Sequence, residues 1–165
     1  MPSLDDDNFS RAVIYLFEHS AEGALGMVIN KPLQIKLGSV LNHLGVEKVD
    51  NEIAQHVVIN GGPVGQEHGF ILYSLPEEPE VMVSTSRELL EDIGENKGPE
   101  QFIVTLGYAG WGPKQLDEEI ARNDWLVAPA NKILVFDTPI YDQWRKAAES
   151  IGVNLEKLSG QSGHA

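Results

Sequence analysis

No cysteine occurs among the 165 residues, which excludes disulfides, thiolate zinc sites and cysteine nucleophiles. That absence fits a reducing compartment. Cations are scarce as well, with 12 Lys and Arg against 25 Asp and Glu, a net charge of −13. Only Arg145 and Lys146 are adjacent. Nucleic-acid binding relies on basic groups that release counterions from phosphates, so direct DNA binding is disfavoured and the acidity reads as a solubility device. No apolar run approaches the roughly 20 residues needed to span a bilayer. The opening MPSLDDDNF lacks the apolar core of a secretory signal. A soluble cytoplasmic protein is therefore expected.

Chemical motifs are equally sparse. The five histidines, His19, His43, His56, His68 and His164, show no HExxH spacing, so no metal is expected. No G-x-S-x-G elbow is present. Neighbouring acids such as Asp117 and Glu118 point to different helix faces and read as solvated charge. Neither catalytic residues nor a cofactor are expected, and the chain reads as non-enzymatic.

What is present is an ordinary core-forming composition, 42% hydrophobic, in one domain over residues 1–158 with a disordered tail at 159–165. AVIYLFE (12–18) and ALGMVIN (24–30) read as strands of a hairpin with a five-residue loop, ended by Pro32. Residues 37–45 carry a helical apolar stripe. VVIN (57–60), GFILYS (69–74), EVMVST (80–85) and QFIVTLGYA (101–109) read as strands. Thr85 to Glu88 has capping-box spacing ahead of a helix ending by Gly98. Pro113 suits the first turn of a helix through Asp117, Glu118 and Glu119. WLVA (125–128) and KILVFD (132–137) read as two further strands, and Thr138-Pro139 as the start of a last helix closed by Gly152. Some seven strands and four helices without strict alternation predict a mixed α+β domain.

Three polar or glycine-rich strand exits form the candidate ligand site: Asn30, the turn at Asn60, Gly61, Gly62 and Pro63, and the corner at Tyr108, Gly110 and Trp111. The 60–65 turn could aim backbone N–H groups at an anion, but no Walker lysine follows. The 107–112 run spells G-x-x-G-x-G, the reverse of the dinucleotide fingerprint. Trp111 is open to two readings, a ring that stacks on a ligand and a plug at the end of the core.

GALGMVINKP, NGGPV, GYAGWGPKQLDEEI and NDWLVAPA, in this order across nearly the whole chain, resemble the YqgE/AlgH family of small bacterial proteins. The resemblance implies an α+β fold whose branched, strongly curved sheet closes into a pseudo-barrel flanked by helices. It also implies regulation, since one branch of the family is linked to alginate production and described as transcriptional regulators. With this charge, regulation is expected to be indirect, through an unknown protein partner or small molecule. The family carries a short apolar strand ahead of this MP, so an edge strand is expected to be missing here. Its corner reads G-W-x-x-G-Q-L where this chain has Lys114 before Gln115, which implies that a glycine there is dispensable.

Overall fold

The computed structural model describes residues 9–153. The expected tail at 159–165 lies outside the described residues. The chain runs β1 (Ile14–Ser20), β2 (Gly23–Val28), β3 (Pro32–Lys36), α1 (Leu37–His43), α2 (Asn51–Ala54), β4 (Val57–Asn60), β5 (Val64–Tyr73) and β6 (Met82–Ser84). It continues through α3 (Arg87–Gly94), β7 (Phe102–Trp111), α4 (Gln115–Ala121), a π-helical turn (Ile133–Asp137) and α5 (Ile140–Ser150). This is a mixed α+β fold around a seven-stranded mixed sheet.

β7 organises the sheet. Its residues 104–106 pair in parallel with β4 on one edge and antiparallel with β5 on the other. Residues 109–111 then pair antiparallel with β2. β1 pairs with β2, β3 with β4 and β6 with β5, so the branches end at β1, β3 and β6. The pairings among the described residues do not close into a ring, which departs from the expected barrel closure.

Because β4 and β5 occupy opposite edges of β7, the three residues between them must cross its backbone. Glycine makes that crossing possible. A Cβ on Gly61 would stand 2.3 Å from the carbonyl oxygen of Gly107, and one on Gly62 would stand 2.2 Å from the carbonyl carbon of Tyr108. Gly61 N–H donates to the Leu106 carbonyl at 2.8 Å, and its own carbonyl accepts from Val28 N–H at 2.9 Å. The crossing thereby ties β2, β4 and β7 at one residue.

Three apolar clusters flank the sheet. Leu37, Leu41, Val58, Ile71, Ile93 and Val104 pack it against α1 and α3. Met27, Ile29, Leu72, Val81 and Val135 fill a second region. Ala24, Ala109, Trp111, Leu116 and Trp125 form the third, beside α4.

Several local expectations are corrected. The hairpin loop has two residues rather than five, because Ser20 already pairs with Gly23. β2 does end ahead of Pro32, at Val28, but Pro32 also begins a further strand, β3, at a position where its missing N–H is tolerated. The capping residue of α3 is Ser86 rather than Thr85, its Oγ accepting from Leu89 N–H at 3.2 Å. Residues 125–128 are not a strand, and 132–137 turn helically instead of extending, with Asn131 Oδ1 capping Leu134 N–H at 2.7 Å. Short apolar runs do not distinguish strand from helix by periodicity. Among the described residues five α-helices form where about four were expected, the addition being the single turn α2, capped by Asp50.

The 107–112 stretch is not a corner. β7 continues through Trp111, with Gly107 at φ +81° absorbing the crossing, and Tyr108, Gly110 and Trp111 are strand residues. The bend follows at residues 112–114. Lys114 adopts φ +64° there, a left-handed conformation that disfavours side chains and favours glycine. A glycine at this position would have a conformational advantage, yet the chain accommodates lysine there, so glycine is dispensable as expected.

Candidate functional site

Between β1, α4, residues 125–130 and α5 lies an open cleft of about 380 Å³. Its lining side chains are apolar apart from Tyr15, the one titratable group among them. Pockets for small ligands commonly span about 300–1,000 Å³ and are mostly apolar. All three tryptophans of the chain line it. Trp111 comes from the end of β7, Trp125 follows α4, and Trp144 comes from α5.

The ring arrangement is specific. Trp111 and Trp125 meet edge to face at 5.8 Å and 78°, and Phe9 meets Trp125 at 5.7 Å and 71°. Trp125 Nε1–H donates to Glu119 Oε1 at 3.0 Å, which satisfies the indole from α4. The Arg11 guanidinium lies over the Trp144 ring at 5.1 Å. The Tyr15 hydroxyl donates to the Val81 carbonyl at 3.2 Å. Burial, and after it the negative charge of Glu80, raise the Tyr15 phenol above its ordinary value of 10.0. At the rim, Val127 is 65% exposed, with Leu126 and Leu16 also open to solvent. The cleft can desolvate apolar matter, and its lining offers no carboxylate, imidazole or amine for proton transfer.

The sequence-derived site residues divide between two places. Asn60, Gly61 and Gly62 are brought against the Gly107 to Ala109 backbone of β7, where the two glycines serve the crossing. The Asn60 side chain accepts from Gly62 N–H at 3.3 Å, the local turn that its residue type favours. Asn30 is one residue from Lys31, whose carbonyl accepts from Asn60 N–H at 2.8 Å. Its own amide is engaged twice, accepting from Val13 N–H and donating to the Arg11 carbonyl, each at 2.9 Å. Tyr108 packs edge to face on Phe70 at 5.6 Å, and Gly110 is exposed on β7. Trp111 alone of these candidates lines the cleft. It is also 9% exposed and packed on Ala24, Ala109 and Leu116, so it both plugs the core and walls the cleft.

Sequence reasoning missed the cleft because AVIYLFE (12–18) and WLVA (125–128) both read as strands. The available signal was the presence of tryptophan on three separate elements. Among the described residues no three His, Asp or Glu side chains gather as a metal site, and no helix is long and apolar enough to cross a membrane. His56 stacks on Phe102 at 4.9 Å, whereas His68 pairs with Glu67 at 3.3 Å.

A family model described as AlgH-like, DUF179, matches residues 1–156. A UPF0301 protein of Coxiella burnetii is 54% identical over 167 residues, covering 100% of this chain and 92% of the relative. One from Nitrosococcus oceani is 46% identical over 173 residues, with the same coverage of 100% and 92%. The solution structure of the AlgH protein from Pseudomonas aeruginosa matches with a TM-score of 0.77 and 40% identity, covering 100% of this chain and 92% of that one. A Corynebacterium diphtheriae protein shares the fold at a TM-score of 0.73 and 23% identity, over 96% of this chain and 86% of its own. The chain belongs to the AlgH-like family.

Proposed function

We propose that this protein is a non-catalytic cytoplasmic regulatory or interaction protein that acts indirectly, by holding the apolar part of a partner in the cleft. The observation that carries this reading is the mostly apolar, tryptophan-walled lining with exposed Leu126 and Val127 at its rim. Contiguous exposed apolar surface on a soluble chain marks interaction sites. The net charge of −13 favours a protein partner over DNA. The resemblance to a family branch linked to alginate regulation supports a regulatory outcome. The branching at β7 supports the strongly curved, pseudo-barrel form of sheet.

A ligand site at the turns themselves has less support, because the Asn30 and Asn60 side chains already bond backbone groups. Val127→Asp places a charge at the cleft mouth on a side chain that is 65% exposed, so the fold should persist. Affinity capture with the wild type and with this variant tests the proposal. Partners retained by the wild type should be lost from the variant; an identical set on both would remove the cleft as the working surface.

A further inference from the structure

Residues 133–136, Ile-Leu-Val-Phe, have the composition of a strand. They turn instead as a π-helix, a rare form that concentrates at functional sites. Disagreement between local preference and fold is expected where a segment is strained or functional.

Side chains hold the turn against its preference. Asn131 Oδ1 accepts from Leu134 N–H at 2.7 Å, and the Thr138 hydroxyl donates to the Ile133 carbonyl at 2.9 Å. Lys132 Nζ donates to the Leu75 carbonyl at 2.7 Å, and Gln101 Nε2 donates to Asp137 Oδ1 at the same distance. The inner bonds come from Gln143 on α5. Its Nε2 donates to the carbonyls of Leu134 and Val135, at 3.3 Å and 3.2 Å, so both amide hydrogens go to the turn. Gln143 is 1% exposed, and its Oε1 is buried with no hydrogen-bond partner among the described residues. An unmet buried acceptor is costly, and that cost falls on the closed form alone, because opening hydrates it.

We infer that residues 131–138 form a strap that opens as a unit, with Gln143 as the residue that positions it, and that its opening regulates the cleft. Leu134 and Val135 line the cleft, while Ile133 on the same turn is exposed. Val135 also packs with Met27, Ile29 and Leu72, so opening uncovers core and the open form is a minor state. A molecule in the cleft touches Leu134 and Val135 only while the strap is closed, so occupancy and closure favour each other. This coupling rests on the cleft as the binding surface; the latch at Gln143 does not.

Amide exchange of the whole chain, followed by NMR, tests both parts. Thr138→Val removes one exposed bond, to the Ile133 carbonyl. The acceptors of Leu134 and Val135 N–H, the side chain and carbonyl of Asn131, are untouched by it. In a strap that opens as a unit, both amides should nevertheless exchange about threefold faster. Gln143→Met keeps the bulk of the side chain and removes its donors, and should speed the same amides about tenfold or more while leaving those of β7 unchanged. Unaltered exchange in Thr138→Val would overturn the unit, and unaltered exchange in Gln143→Met would reduce Gln143 to a space-filler. Protection of Leu134 and Val135 equal to that of β7 would mean that the strap opens only with the whole fold, which also overturns it. The apolar dye Nile red, at ten times its dissociation constant, should slow both amides about tenfold. Saturable binding without that slowing would overturn the coupling and leave the latch. Failure of the dye to bind would remove the cleft reading, and the coupling with it, whereas the latch stands or falls on the two variants.

Discussion

Replacing Gly61 with alanine should cost about 3–5 kcal/mol, and the reason is the strand crossing. The new Cβ would stand 2.3 Å from the Gly107 carbonyl oxygen and 2.9 Å from Thr105 Oγ1. Moving from 2.3 Å to a tolerable 3.0 Å displaces one backbone against another by about 0.7 Å. Neither backbone can yield freely, since Gly61 bonds both Leu106 and Val28. Each buried peptide group left without its partner costs about 1–3 kcal/mol, and two are at risk. That is a large share of the roughly 5–15 kcal/mol by which domains are stable. Gly110→Ala is the control. Its Cβ would meet Leu25 Cδ2 at 3.7 Å, ordinary contact, so its effect should stay within about 0.5 kcal/mol. Urea denaturation followed by circular dichroism measures both. A cost below about 1 kcal/mol for Gly61→Ala, or equal costs for the two variants, would refute the crossing as the reason for glycine.

Trp111→Ala should cost about 3 kcal/mol by the same assay, the low end for a buried tryptophan, because one side of the ring borders the cleft; less than about 1 kcal/mol would show that it does not pack as described. Lys114→Gly should stabilise by about 0.5–1 kcal/mol by relieving the left-handed backbone, and a destabilised variant would contradict that conformation. Tyr15 has its folded-state pKa raised above the unfolded value, so its contribution is fully present below about pH 10 and is lost as the pH rises through the folded value. Tyr15→Phe should therefore flatten the loss of stability above that pH, and an unchanged alkaline slope would argue against the burial of its hydroxyl.

The sequence made the α+β class legible, along with β1, β2, β4, α1, α3, the first half of β7 and α5, because each couples a clear period to a turn signal. β3 was obscured by Pro32, and α2 is too short to show a period. Residues 132–137 have a strand-like composition, yet among the described residues no strand pairs with them and Asn131 caps a helical turn instead. The glycine-rich stretch misled in the other direction. Gly61, Gly62 and Gly107 look like a loop for a ligand in one dimension, and only the pairing of β7 on both edges shows that one backbone passes over another. The cleft was illegible for a related reason. Apolar runs announce burial but do not say which side chains will border an open cleft.

The central claim is that the tryptophan-walled cleft is the surface that binds. Every tryptophan in the chain lines it, so intrinsic fluorescence reports on this place alone. Nile red, a neutral apolar dye, should bind saturably and alter tryptophan emission in proportion, with the effect weakened in Val127→Asp. Tryptophan emission that stays unchanged while the dye saturates, or a dye that does not bind, would contradict the claim.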